Sequence, residues 1–211
     1  MNRKIVLLMI GLILPFSIFA QSDYTFKISG GLINAPNIDE EIVINKDDPG
    51  LIFKDYEGQE GYEYKLSVVV KYLEFGYKIQ HYTAEKDGLY KFEDPKETVI
   101  LTEKGEIEFD TQTAFIAIYF GDPFDNVGLN MSLGAGSGIT KLTINREFVE
   151  DSRKIEDGLA YAKEMHFFGD LHYGMSETYG FSLGYVAQTI KTVVGEDFTN
   201  DFVELNLYFL Y

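Results

Sequence analysis

From Tyr24 to Tyr211 the apolar residues of this chain recur at every second position, in eight separate runs. No other feature restricts the fold as much. Period two belongs to strands, whose side chains alternate between faces, whereas a helix repeats its apolar positions about every 3.6 residues. Tyr24, Phe26, Ile28 and Leu32 alternate with Thr25, Lys27 and Ser29, and Leu66, Val68, Val70 and Tyr72 with Lys65, Ser67 and Lys71. The parity then flips, so that Phe75, Tyr77 and Ile79 stand against Gly76, Lys78 and Gln80. A flip within a few residues is how a tight hairpin shows itself in sequence. Ile107, Phe109, Phe115, Ala117 and Tyr119 oppose Glu106, Glu108, Asp110 and Gln112 in the fourth run, and Val127, Leu129, Met131, Leu133 and Ala135 form the fifth. Leu159, Tyr161, Met165, Phe167, Leu171 and Tyr173 oppose Glu164, His166, Asp170 and His172. Tyr179 to Ala187 and Val203 to Tyr211 supply the last two runs.

The connections alternate too. Runs two and three, four and five, and six and seven are joined by a few residues each, while polar segments near 33–60, 83–104, 145–158 and 191–201 separate the others. A soluble sandwich also alternates in polarity, with its apolar face turned inward, but it has no need for every second connection to be tight. Short turns at one end and long loops at the other fit strands of about 10 residues crossing a bilayer. In hydrocarbon every backbone group needs an internal partner, so such a sheet must close. The fold predicted is therefore all-β, an eight-stranded antiparallel up-and-down transmembrane β-barrel. Its apolar parity faces lipid, and Tyr24, Tyr72, Phe75, Tyr119, Phe120, Tyr173 and Tyr179 form interfacial girdles. Eight strands leave an interior that side chains fill, and Gly128, Gly134, Gly136, Gly180 and Gly184 lie on the polar parity that would line it.

Asn2-Arg3-Lys4, an apolar run from Ile5 to Phe19 and the small Ala20 predict a secretory signal peptide over residues 1–20, with the barrel domain over 21–211. Cleavage after Ala20 removes Arg3 and Lys4 and no acid, taking the net charge from −16 to −18. Such an excess of acid argues against nucleic acid as a partner. The chain has no Cys, which removes disulfides, thiolate chemistry, Cys-ligated metals and a lipid-modified N-terminus together.

The final run, Asp201 to Tyr211, ends on an aromatic residue with apolar residues at every second position before it. Together with the leader ending Phe19-Ala20-Gln21, the chain resembles the small outer-membrane β-barrel family of Gram-negative bacteria, eight-stranded porin-family barrels like the transmembrane domain of OmpA, in the style common among Bacteroidetes. The resemblance spans the whole mature chain and rests on pattern and length. It implies that Val203, Leu205, Leu207, Phe209 and Tyr211 are the C-terminal signal read by the barrel-insertion machinery. It also implies a place in the cell outer membrane among lipid and lipopolysaccharide, as a monomer, with an extracellular partner it does not identify. Some barrels of this kind hydrolyse lipid A, which needs a nucleophile and a base in contact. His81 has no His-x-Ser spacing around it, and Ser176 falls in a turn at the other end of the strands, so no catalytic residue is assigned.

Glu164, His166, Asp170 and His172 are the most concentrated titratable group, with strand neighbours about 7 Å apart on one face. A metal site or acid–base pair is one reading. The favoured one is a lumen polar network with Lys27, Lys65, Lys71 and Lys78 as charge partners, without metal or cofactor. Residues 33–60 hold eight acids, Asp39, Glu40, Glu41, Asp47, Asp48, Asp55, Glu57 and Glu60, against Lys46 and Lys54. They read as a solvated outer loop, with cation bridging or a cationic partner as the sharper alternative. The expected function is non-enzymatic, in envelope structure or surface interaction. A narrow pore for small solutes and a secreted lipocalin-like carrier of an apolar ligand are the alternatives.

Overall fold

The computed structural model describes residues 24–35, 37–38, 42–43, 52–53, 56–93, 98–123, 127–148, 153–192 and 197–211. The signal-peptide expectation and six of the eight loop acids (Asp39, Glu40, Glu41, Asp47, Asp48 and Asp55) lie outside them. Eight strands form the barrel. They are β1 (Tyr24–Asn34), β2 (Glu60–Val70), β3 (Leu73–Glu93), β4 (Thr98–Tyr119), β5 (Gly128–Phe148), β6 (Arg153–Gly174), β7 (Tyr179–Lys191) and β8 (Asp197–Leu210). Each pairs antiparallel with the next, and β1 pairs with β8 from Lys27↔Leu210 to Asn34↔Val203, which closes the sheet. Among the described residues closure gives every barrel strand a partner on both sides. The short turns and both ends of the barrel chain meet at one rim, where the Phe26 and Tyr211 backbones exchange hydrogen bonds of 3.0 and 2.9 Å.

The alternation maps onto this cylinder directly on most strands. Ile28, Leu32, Leu66, Leu133, Phe167 and Leu183 point outward and are exposed. Lys27, Ser29, Lys65, Ser67, Ser132 and Ser182, one position away, are buried inside. At the turn end Tyr72, Phe75, Phe120, Tyr173 and Tyr179 form an aromatic girdle, and Tyr62, Tyr64, Tyr161 and Tyr185 form another toward the loop end.

Three expectations change. First, strands β3 to β6 run for 21 or 22 residues rather than about 10. The segments read as loops at 83–104 and 145–158 are mostly paired ladder, out to Glu93↔Thr98 and Phe148↔Arg153. Second, the fourth run is turned inside out. Ile107, Phe109, Phe115, Ala117 and Tyr119 are buried in the lumen, and Ala114, Ile116, Ile118 and Phe120 face outward. Tyr119 is thus a lumen residue and not part of a girdle. Third, the ends of the acidic segment fold inward: Ala35, Ile38 and Tyr56 are buried, and the Ile38 and Tyr56 backbones pair at 2.8 and 3.0 Å.

Phe115, Ala117 and Tyr119 lie level with the exposed apolar belt and fill the lumen there, Phe115 edge-on to Phe168 and Tyr119 bonded to Lys27 and Glu74. For the long strands, the folded-in acidic segment and Ile107 and Phe109 of the fourth run the physical reason is the same: past the belt the apolar side chains turn inside, where they are taken out of water. Tyr82 and Ala84 on β3, Ile107 and Phe109 on β4, Leu142 on β5, Ala162 on β6, Ile190 on β7 and Phe198 on β8 accordingly form one buried cluster that Ile38 and Tyr56 complete. The loop-end half of the cylinder is packed as a soluble protein is.

The lumen as candidate functional site

The inward face of each strand delivers its residues to the lumen in layers. At the turn end Lys27 donates to the Tyr119 hydroxyl at 2.8 Å and to Glu74 Oε2 at 3.3 Å, while Tyr119 donates to the same Glu74 oxygen at 2.8 Å. Ser67 donates to the other Glu74 oxygen, and the Lys27 ammonium also lies 5.2 Å from the Tyr208 ring centroid. His172 stacks on Tyr119 with centroids 5.1 Å apart, its Nε2 2.9 Å from Ser132 Oγ.

The next layer centres on Glu204. Lys65 approaches it at 2.6 Å and Lys78 at 3.4 Å, and Gln80 donates to it at 3.0 Å. Lys65 also meets Glu63 at 3.0 Å and Asp170 at 3.9 Å, and Asn206 donates to Glu63. The Phe168 ring lies beneath both ammonium groups, 5.6 Å from Lys65 Nζ and 5.7 Å from Lys78 Nζ. Above this, His166 Nδ1 and Glu164 Oε1 are 2.7 Å apart, Gln188 donates to Glu164 at 3.3 Å, and Tyr82 donates to Gln188 at 2.9 Å. The Tyr82–Phe109 stack, with centroids 4.6 Å apart, then begins the apolar layer.

Bulky inward groups fit because their neighbours lack side chains. A Cβ on Gly134 would sit 2.2 Å from the Phe168 ring, and one on Gly136 would sit 2.3 Å from His166 Cε1.

Of the residues singled out from the sequence, Lys27, Lys65, Lys78, Glu164, His166, Asp170 and His172 lie buried in the lumen. Lys71 does not: β2 stops at Val70, and Lys71 occupies the two-residue turn to β3, exposed, with φ 55°. The lysines pair mainly with Glu63, Glu74 and Glu204, which the sequence reading did not assign. All three sit on inward parities, so their burial was legible, but which carboxylate meets which lysine depends on registers between distant strands. Among the described residues no three His, Asp or Glu side chains converge as a metal site. Val203, Leu205, Leu207, Phe209 and Tyr211 form an exposed outward row on β8 and just past its end.

His81 faces outward, stacked on Tyr62 with centroids 5.0 Å apart and its Nδ1 2.7 Å from Asp110 Oδ1. It is a base with an orienting carboxylate. Ser176, in the β6–β7 turn at the opposite rim, accepts from the Thr178 and Tyr179 backbones.

No protein-family model matches the sequence, and no curated protein matches it. Solved structures do. The outer membrane protein OprG of Pseudomonas aeruginosa is 12% identical, with 90% of this chain covering 97% of that one at a TM-score of 0.50. Neisserial surface protein A is 10% identical over 88% and 95% at a TM-score of 0.49. The N-terminal β-barrel domain of Pseudomonas aeruginosa OprF is 12% identical over 90% and 98% at 0.47.

Proposed function

We propose, from the premise that this chain has the fold of the small eight-stranded outer-membrane β-barrels, that it is a non-enzymatic integral protein of the outer membrane serving envelope structure or surface interaction. On this reading it is exported through a cleaved signal peptide, with its short turns and both termini in the periplasm and its long hairpins outside the cell. The observation that carries it is the outward belt, with Leu129 74%, Phe167 65%, Leu32 61% and Leu205 54% exposed. Apolar surface of that extent around a whole cylinder has no place in water. The belt on β6 runs from Met165 to Tyr173, about 27 Å along the strand and roughly 20 Å when tilted as barrel strands are, which suits the apolar band of such barrels.

Leu205→Arg, near the middle of the belt on β8, is expected to destabilise the protein by about 2–4 kcal/mol in vesicles, whereas Asp201→Arg at the belt's edge changes stability by about 1 kcal/mol or less. Urea titration read by the heat-dependent gel shift measures both. Equal effects, or a protein that stays monomeric without detergent, would remove the membrane reading and favour the carrier. Against a carrier of apolar ligands stand the buried lysines and carboxylates that occupy the lumen's middle.

The pore reading is disfavoured by the stacked layers from Lys27 to Phe109. Planar bilayers holding the purified protein are expected to show no stepwise conductance beyond the leak of protein-free membranes. The non-enzymatic reading is supported by the outward His81–Asp110 pair having Tyr62 against it, and by Ser176 standing at the far rim.

A further inference from the structure

The outward belt ends at one level on every strand, and the first charged residue past it changes sign around the barrel. On β2, β4 and β8 it is an acid: Glu60, Asp110 and Asp201. On the three consecutive strands β5, β6 and β7 it is Lys141, Lys163 and Lys191. No acid interrupts that sector at this level, in a chain with 34 acids and 18 basic residues.

The registers bring the three together. Lys163 stands directly opposite Lys191 across β6–β7, and Lys141 opposite Tyr161 across β5–β6, so that Lys163 is its diagonal neighbour. Directly opposed side chains have Cβ atoms about 5 Å apart and diagonal ones about 7–8 Å. Like charges so placed oppose the pairing of their strands unless an anion joins them. Lys191 meets Asp197 at 3.3 Å, with both side chains about half exposed. Asp110 faces Lys141 across β4–β5 but is bonded to His81. Among the described residues Lys163 has no carboxylate within ion-pair distance. Directly below Lys141 and Lys163 the same faces carry Ile139 and Met165, and below Lys191 they carry Thr189 and then Ala187, so that mainly apolar positions lie where acyl chains can rest. A lysine at this depth extends its ammonium into the headgroup layer while its methylenes stay on the apolar surface.

We propose that Lys141, Lys163 and Lys191 form a binding site for the phosphate groups of a phosphorylated lipid in the leaflet at the loop end, its chains lying along β5 to β7. The proposal rests on the membrane reading above and adds to it a place, a sector and a headgroup chemistry. The anion lowers the mutual repulsion of the lysines, and charge-assisted contacts to phosphate oxygens are the strong class of hydrogen bond.

The protein, folded in detergent, is mixed with lipid A or with dephosphorylated lipid A, and retained lipid is read by native mass spectrometry. Wild type is expected to keep lipid A and to lose the dephosphorylated form. The triple variant K141Q/K163Q/K191Q should retain about tenfold less lipid A, as loss of one or two phosphate contacts implies. Lys163→Arg should keep it, and Lys71→Gln, at the other rim, should match wild type. The three lysines face outward, so the heat-dependent gel shift of the triple variant should still report a folded barrel. If that folded variant holds lipid A as well as wild type, or if wild type holds the dephosphorylated form equally well, the site does not exist. A protein that needs no detergent at all would instead overturn the membrane reading, which separates the two failures.

Discussion

Glu204→Leu is expected to destabilise the folded barrel by about 3–5 kcal/mol, the cost of leaving a buried charge without its partner. Glu204 is fully enclosed, and among the described residues it alone forms ion pairs with both Lys65, at 2.6 Å, and Lys78, at 3.4 Å, while also accepting from Gln80. Its loss leaves Lys65 with Glu63 and the more distant Asp170, and leaves Lys78 with no ion pair among the described residues. Urea titration in vesicles, followed by gel shift, measures the change. Removing the ammonium group left without an ion pair as well, with Lys78→Met in the same chain, is expected to recover part of the loss, because Lys65 keeps Glu63 and Asp170 as partners. By contrast Lys191→Leu, which breaks the exposed pair with Asp197 at 3.3 Å, should change stability by no more than about 1 kcal/mol. Equal losses at Glu204 and Lys191 would mean that water reaches the lumen layer.

Phe109→Ala is the second large effect, also about 3–5 kcal/mol, as for other fully buried phenylalanines. Its ring stacks on Tyr82 and meets the edge of Phe198 at a centroid distance of 6.2 Å, with no exposed surface. Truncation leaves a void lined by side chains that the closed ladder prevents from collapsing. Phe167→Ala on the outward face should cost a fraction of this. Phe167 is 65% exposed, and on the proposed membrane reading lipid chains would fill the space it vacates. The pair of variants, measured in the same vesicles, reads whether the loop-end half of the barrel has a dry interior. A Phe109→Ala loss no greater than that of Phe167→Ala would show an interior open to solvent.

Strand count, closure and the outward row on β8 were legible because each is written locally. Val203 to Tyr211 alternates without a break, and period two fixes a face residue by residue. The reading of the fourth run failed in two ways: Ile107 and Phe109 lie past the exposed belt, where the apolar parity turns inward, and Phe115, Ala117 and Tyr119 fill the lumen within it while Ala114, Ile116 and Ile118 carry the outward face. On β3 the apolar parity runs through Phe75, Tyr77 and Ile79 and then changes to Tyr82 and Ala84, both enclosed. On β8 it changes from Val203 to Phe202 and Phe198. Taken as a turn or a loop, such a change shortens the strand; taken as the end of the exposed apolar belt, it gives the belt height on each strand. Phe109 and Ile107 belong to the part of β4 past the belt, while Ile116 and Ile118 belong to the belt.

The lumen was legible in kind but not in pairing. Lys65 and Glu204 are 139 residues apart in sequence and meet only because β1 lies between β2 and β8. No local pattern announces that contact. Lys71 shows the complementary error. It shares a parity with Lys65 and Ser67, yet the strand ends one residue before it, and parity has no meaning beyond a turn.

The length of β3 and β4 has a mechanical side. From His81 to Glu93 the ladder climbs about 40 Å along the strand, or roughly 30 Å in height at the usual tilt, against roughly 20 Å for the outward belt below it. Because that ladder is continuous with the wall of the cylinder, a force applied at the tip reaches the barrel as strain across hydrogen-bonded registers and is not absorbed by a slack tether. On the proposed outer-membrane reading, a partner binding the far end of this ladder would be held at a set height and angle to the membrane, like a flag on a mast.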